Sequence, residues 1–404
     1  MGFEIKDGVL KKYKRETGVK DIIVPEGVTK VAHGAFENCP GIESVSLPDS
    51  LVEIGGKAFY GLRKLVKINI PKSVVRIGRD AFGNTKLIEK LRLNAAKEND
   101  MLHCGTIIID SCLVELSFPN SIIRPKFTPK SVPIDKWEYV VPDNVTCIYD
   151  DAFNIYSRNN SEYLSSIILP KSLKCIAKTA FSGCKWLTNL VIPQGVKQIG
   201  SCAFSDCKKL ESIELPQGLE VIGDHAFRDC TKLRSIDIPD TVVYIDDGAF
   251  MGCKMLNDVN ASRNVPFVSY NSFDGTKWFE NIKKKNDFVM LGNVLLCSSQ
   301  KAAGDVVVPE GVTIIASHAF WDTEITSVIV SEGVEIINDK AFGYCEKLTE
   351  LSLPSTLRKI GTSVFQRCDN VSKLVVADNP YLELKDGVLY KKDSRRVKIL
   401  TLKK

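Results

Sequence analysis

No stretch of these 404 residues is apolar for long enough to cross a bilayer. The longest apolar runs, SSIILP (165–170) and DVVVPEGV (305–312), have the length of strands. The amino terminus, MGFEIKDGVLKKYKRE, lacks the apolar core of a secretory leader, and Lys6 stands where an N-myristoylation signal carries Ser or Thr. The expectation is a cytoplasmic protein, or one whose leader lies upstream of this numbering. Histidine is scarce, four in all, with no zinc-ligand pair and no nucleophile elbow around them. No C-x-x-C pair occurs, and no glycine-rich phosphate loop. A net charge of +5 is small for the length and argues against a dedicated nucleic-acid surface. These absences predict no catalytic residues, no cofactor and no metal, and hence no enzyme.

What the chain has instead is repetition. Ala-Phe ends at Phe36, Phe59, Phe82, Phe153, Phe181, Phe204, Phe227, Phe250, Phe320 and Phe342, with Val364-Phe365 as a variant, and most steps are 22 or 23 residues. The long step between Phe250 and Phe320 passes through Ser272-Phe273, again 23 residues on. A period of that size means a solenoid. Proline lies eleven residues before the phenylalanine in every Ala-Phe unit but one, where Ser331 replaces it, and before Phe365, and a small residue such as Gly195, Gly218 or Thr241 follows two places later. Proline at the second place of a type I turn and a small residue at the fourth account for that pair. Aliphatic residues occupy fixed offsets on both sides of the phenylalanine. Ile236 and Ile238 differ by two, the strand spacing, so Ser235 and Asp237 face the other way. The stretch IDDGAFMGC reads as one short helical or 3₁₀ turn. One such turn cannot cover its own apolar face; stacked at about 4.8 Å, about fifteen turns cover one another.

The phrase AFxxCxxLxxIxLPxxLxxIGxxAF, cleanest at 203–227, resembles the BspA-type leucine-rich repeat over nearly the whole chain. FDGTKWFENIKKKNDFVMLGNVLL (273–296) resembles the helix-plus-hairpin unit that interrupts such arrays, and FEIKDGVLKKY (3–13) and LELKDGVLYKK (382–392) resemble the same hairpin at the two ends. The resemblance implies a mainly β (β/α) fold: a right-handed leucine-rich-repeat superhelix with a parallel sheet and short helical turns. The expected organisation is a single elongated solenoid over 1–404, with hairpin-like ends at 1–24 and 382–404 and irregular inserts at 95–141 and 260–305. Family members are described chiefly as surface or adhesive proteins, which implies a bacterial adhesin or host-interaction role.

Seven of the thirteen cysteines fall three places after the repeat phenylalanine: Cys39, Cys184, Cys207, Cys230, Cys253, Cys345 and Cys368. Adjacent turns bring Cα atoms within bonding range, but stacked side chains point the same way, which is poor disulfide geometry. A single-file row also cannot supply four tetrahedral ligands. Leu62, Thr85 and Thr323 take the slot in other units, as suits a small buried group whose weak S–H donor meets a turn carbonyl.

Candidate binding residues are the outward positions of the strands: Lys67, Asn69, Lys90, Arg92, Ser212, Glu214, Ser235, Asp237, Glu350 and Lys373. They form a row that is basic near the front and acidic in the middle, and solenoids use such surfaces for recognition. Glu214 and Asp237 could pair as in a glycosidase, but they recur by period and no aromatic platform flanks them. The inserts add Trp137, Tyr139, Phe267, Tyr270, Trp278 and Phe279, as partner anchors or as plugs where the stack breaks. The basic runs Lys283 to Lys285, and Lys391-Lys392 with Arg395-Arg396, read as solvated helix and hairpin faces that could also touch acidic partners. The expected function is a monomeric, non-catalytic scaffold that binds a protein ligand, without nucleic acid. A carbohydrate-binding or carbohydrate-acting module and an intracellular adaptor are the alternatives.

Overall fold

The computed structural model describes residues 2–90 (except 72, 75 and 79), 137–153, 164–261, 265–299 (except 270), 302–392 and 398–403, with the backbone alone at 106–109, 112–116 and 137–138. The chain divides into two compact units, residues 1–219 with 226–233, and residues 220–225 with 234–404. Each is a parallel β-solenoid, and within each the repeat lays down two ladders.

The first ladder carries the longer strands. In unit 1 it joins Asp21–Ile23, Ser44–Ser46 and Lys67–Ile68, and separately Trp137–Val140, Leu164–Ile168, Asn189–Val191 and Ser212–Glu214. In unit 2 it joins Ser235–Ile238 to Asp258–Ala261, and Ala303–Val307, Glu324–Ile329, Glu350–Leu353 and Lys373–Val376 in that order. Residues one period apart are register partners, as Ser235↔Asp258 and Glu350↔Lys373 show. The second ladder is built from two-residue strands such as Glu53–Ile54, Cys175–Ile176 and Tyr244–Ile245.

Proline ends the first ladder because it has no N–H to continue it. The turn that follows differs from the expected one. The Pro193 carbonyl accepts from Val196 N at 3.0 Å and that of Pro216 from Leu219 N at 3.0 Å, so proline is the first residue of the turn, not the second. The small residue is therefore third. There Gly311 (φ +84°) and Gly333 (φ +101°) take the left-handed conformation that a type II turn requires.

The loop around Ala-Phe is not a helical turn either. It is a chain of tight turns, with Asp246 O accepting from Ala249 N, Gly248 O from Met251 N and Phe250 O from Cys253 N. The residue two places before the phenylalanine and the one two places after it are left-handed in most units: Thr179 and Gly183 flank Phe181, and His225 and Asp229 flank Phe227. These kinks bring the Phe N–H to the carbonyl of the residue before the next phenylalanine, at 2.8 Å for Phe181 to Ala203, 2.7 Å for Phe204 to Ala226 and 2.7 Å for Phe250 to Ser272.

The rings inside form columns. In unit 1 they run Tyr13, Phe36, Phe59 and Phe82, then Phe153, Phe181, Phe204 and Phe227, with centroids 4.8–5.6 Å apart. In unit 2, Phe250 stacks on Phe273, and Phe320, Phe342 and Phe365 form a second column. All are buried. Tyr13 comes from the amino-terminal hairpin, Phe3–Lys6 with Val9–Tyr13, whose second strand runs parallel to Lys30–Val31. The same device recurs twice. Hairpin Thr106–Ile109 with Cys112–Leu116 feeds Cys147–Ile148, and hairpin Phe288–Leu291 with Val294–Ser298 feeds Ile314–Ile315. Each hairpin thus starts a block of repeats on a strand whose partner is already made.

The blocks also end alike. Helix α1 (Lys277–Lys285) is capped by Thr276, whose Oγ1 accepts from Phe279 N at 3.2 Å. Thr85 caps a helical segment over 86–90 in the same way, accepting from Ile88 N at 3.2 Å. Both threonines stand in the cysteine slot, three places after Phe82 or Phe273. A cap there starts a helix where the other units continue toward a strand. The phrases NTKLIEK (84–90) and GTKWFEN (275–281) were a readable signal that the first interruption is the same unit as the second.

Candidate protein-binding surface

The first ladder presents its outward side chains in two rows, one residue from each strand per row. In one row of unit 2, Asp305, Ser327, Glu350 and Lys373 follow each other across four strands. Ser327 Oγ donates to Asp305 Oδ1 at 2.6 Å, and Lys373 Nζ to Glu350 Oε2 at 2.7 Å. The hydroxyls of Ser327 and Thr326 hold the Asp305 carboxyl below its ordinary range. In unit 1, Ser166, Asn189 and Ser212 are aligned, with Ser212 Oγ bonded to Asn189 Oδ1 at 2.6 Å.

The other row is aliphatic in two runs, a feature that residue-by-residue reading of the sequence missed. Val307, Ile329 and Val375 share it in unit 2, with Ser352 between the last two. Val140 and Ile168 are register partners in unit 1, and continuation of the Ser166↔Asn189 register adds Val191. All six are between 49% and 58% exposed, well above the usual state of such side chains. Alignment on the phenylalanine would have found five of them, since Val140, Ile168, Val191, Val307 and Ile329 each lie thirteen residues before it; Val375 follows Ser352 by one period.

The ten sequence-predicted residues divide. Lys67, Ser212, Glu214, Ser235, Asp237, Glu350 and Lys373 are exposed on the ladder as expected. Asn69 is exposed but committed, its amide accepting from Leu47 N at 2.8 Å and donating to Leu47 O at 3.0 Å, so it extends the ladder as a side-chain rung. Asp237 accepts from Asn260 Nδ2 at 2.9 Å. Lys90 is not on a strand: it lies in the helical segment started by the Thr85 cap. Arg92 falls outside the described residues. Lys90 therefore does not extend the row past Lys67 and Asn69 as a strand residue.

Aromatics of the inserts are packing. Tyr139 lies edge-on to Phe153, Trp278 is 5.1 Å from Phe273, and both are buried with Phe279. Phe267 stacks on Tyr244 at 4.3 Å. The Trp137 side chain and Tyr270 lie outside what is described. No described helix is long and apolar enough to cross a membrane.

The cysteines behave as a second ladder. Each Sγ donates to the carbonyl of the ring residue one turn earlier: Cys184 to Phe153 (3.4 Å), Cys207 to Phe181 (3.2 Å), Cys230 to Phe204 (3.2 Å), Cys345 to Phe320 (3.0 Å) and Cys368 to Phe342 (2.9 Å). Every cysteine whose side chain is described is a free thiol. Burial pushes the Cys184 thiol well above its ordinary value.

One cluster of ligand-type atoms stands apart from the face. Asp224, His225 and Asp247 each offer an atom within 4.8 Å of the others. His225 Nδ1 is 2.5 Å from Asp224 Oδ1, and Asp247 Oδ1 accepts from Ser269 Oγ at 2.9 Å. The first bond joins adjacent residues and the second ties one turn to the next, and the His225 ring lies over Gly248 so closely that a Cβ there would come within 2.9 Å.

A parallel solenoid with these recurrent turns defines the leucine-rich repeat class. The BspA-type leucine-rich repeat region model matches in six copies over residues 11–124, 148–280 and 279–394, and the chain belongs to that family. Among solved structures, it is similar to a leucine-rich repeat protein from Bacteroides ovatus (23% identity, covering 92% of this chain and 91% of that one, TM-score 0.37). It is also similar to a leucine-rich cell surface protein from Faecalibacterium prausnitzii (19%, 92% and 91%, 0.31). A leucine-rich repeat protein of T. pallidum matches at 25% identity over 61% of this chain and 82% of that one, with a TM-score of 0.24. No curated protein matches.

Proposed function

We propose that this chain is a non-catalytic, monomeric scaffold that binds a protein ligand on the outer face of the first ladder. The observation that supports this is the aliphatic row. Single exposed apolar residues are ordinary, whereas contiguous ones bordered by polar groups mark interaction sites. Val307 and Ile329 beside the Asp305-to-Lys373 row have that form, with Val375 one strand beyond Ser352, as do Val140, Ile168 and Val191 beside Ser166 and Asn189. The apolar row supplies burial and the polar row sets register with the partner. The single-solenoid organisation expected from the sequence is part of this reading. A surface adhesin or host-interaction role rests on family membership, and an intracellular adaptor would use the same face.

The test is the double substitution Ile329→Lys, Val375→Lys. Both side chains are half exposed, so thermal unfolding should match the wild type. A ligand identified by crosslinking to the native chain should bind the double variant at least tenfold more weakly. Equal affinity would refute the assignment of the face.

A further inference from the structure

The charge of the chain is concentrated at its carboxyl end. Residues 382–404 carry eight Lys and Arg against three Asp and Glu, a surplus of five; the whole chain is +5, so the preceding 381 residues sum to zero. Part of that charge borders a groove of about 240 Å³ between residues 357–360 of the last repeat and residues 380–382 and 391–392 of the terminal hairpin. Arg358, Lys359, Lys391 and Lys392 line it, with no carboxylate among the lining residues. Leu357, Ile360 and Leu382 give it an apolar floor, and Tyr381 stands 53% exposed at its side.

Two of the cations are fixed. Arg358 is paired with Glu335, and Lys392 Nζ donates to Asn379 O at 2.8 Å. The other two are not: among the described residues, neither the Lys359 nor the Lys391 ammonium has an acidic partner. Asn379 makes the walls rigid. Buried itself, it donates to Pro354 O, Ser355 O and Leu357 O on one side and accepts from Tyr381 N and Leu382 N on the other. A preformed cleft with an apolar floor and unneutralised cations is a recognition site for a short segment bearing carboxylates next to an apolar side chain. Glu335, paired with Arg358, interrupts the basic field, which disfavours a uniformly charged polymer such as nucleic acid.

We infer that this groove binds an acidic peptide segment of a partner protein, with carboxylates at Lys359 and Lys391 and an apolar side chain against Tyr381 and Leu357. The site shares no residue with the strand face and does not depend on it. A fluorescein-labelled octapeptide of glutamate and leucine, titrated against the full chain by anisotropy, tests the assignment. Binding should weaken as salt rises and fall at least tenfold in the variant Lys359→Glu, Lys391→Glu, while Lys283→Glu, Lys284→Glu on α1 leaves it unchanged. Should the reversal variant lose its cooperative melt, Lys359→Gln, Lys391→Gln replaces it, with a shallower salt slope expected. Any of three results would overturn the inference: no binding by the wild type, equal loss in the α1 variant, or tighter binding of an oligothymidylate or an anionic phospholipid vesicle than of the peptide.

Discussion

Removing the Phe204 ring probes the stack with the fewest side effects. The ring is fully buried between Phe181, 5.1 Å away, and Phe227, 5.3 Å away, each within 3° of parallel. Its backbone is also in use, the N–H bonded to Ala226 O and the carbonyl to the Cys230 thiol, and Phe204→Ala leaves both bonds in place. Burial and the cavity left behind account for about 3–5 kcal/mol, and each lost aromatic pair for about 0.5–1.5 kcal/mol more. Because those figures overlap, a loss of about 4–5 kcal/mol is expected. Turns couple mainly to their neighbours, so the damage should be local. Urea unfolding followed by circular dichroism should show the lost stability, and hydrogen exchange should place the lost protection in the turns around Phe181 and Phe227. Phe204→Leu keeps most of the volume and should cost about 1–2 kcal/mol. A loss below 1 kcal/mol for the alanine variant, or equal losses for the two, would refute the stacking argument.

Asn379→Ala should cost about 3 kcal/mol or more, because three carbonyls and two N–H groups lose their partner in a buried place. Hydrogen exchange should then show the terminal hairpin opening ahead of the repeats, and uniform protection would contradict this. Burial raises the Asp150 carboxyl to about 6, partly opposed by Arg76. The folded state therefore keeps its proton where the unfolded state has lost it, so stability falls as pH rises from about 4 to 6 and stays lower above. Asp150→Asn removes that term, so its melting temperature relative to wild type should rise between pH 4 and pH 7.5; a pH-independent difference would count against it. At pH 8, iodoacetamide should leave Cys184, Cys207, Cys230 and Cys345 unmodified in the native chain and label them after unfolding. Labelling of these four in the native state would show that the thiol ladder opens.

The period, the phenylalanine core, the proline at the strand end and the packing role of cysteine were all legible, because each is a demand made in every turn. The turn geometry was not. Left-handed residues usually announce themselves as glycine, but here Thr179, Cys202 and His225 take that conformation. What holds them there is the next turn: Thr179 N donates to Ser201 O at 2.9 Å and His225 N to Asp247 O at 2.7 Å. A bond across 22 residues leaves no local sign. Lys90 failed as a strand residue for the opposite reason, since a local sign existed: Thr85 in the cysteine slot, followed by a lysine and a later glutamate as after Thr276.

Candidate functional residues are harder to read because the stack places no demand on them. Inside the turn almost every atom is used: the phenylalanine ring by its neighbours, its N–H by the following alanine, its carbonyl by the following cysteine. The position thirteen places before the phenylalanine carries no such duty. Valine and isoleucine there satisfy strand preference, which explains any one of them. It does not explain their grouping. Ser46, Asn69, Glu214, Asp237, Asn260 and Ser352 fill the same position in other turns without disturbing the ladder. Since the fold accepts polar residues at this site, the fold does not require Val140, Ile168 and Val191 in consecutive strands, or Val307 and Ile329 in two more. Exposed aliphatic carbon is a solubility cost that a polar residue at the same place would remove. A partner that covers the row, as proposed above, would account for its contiguity.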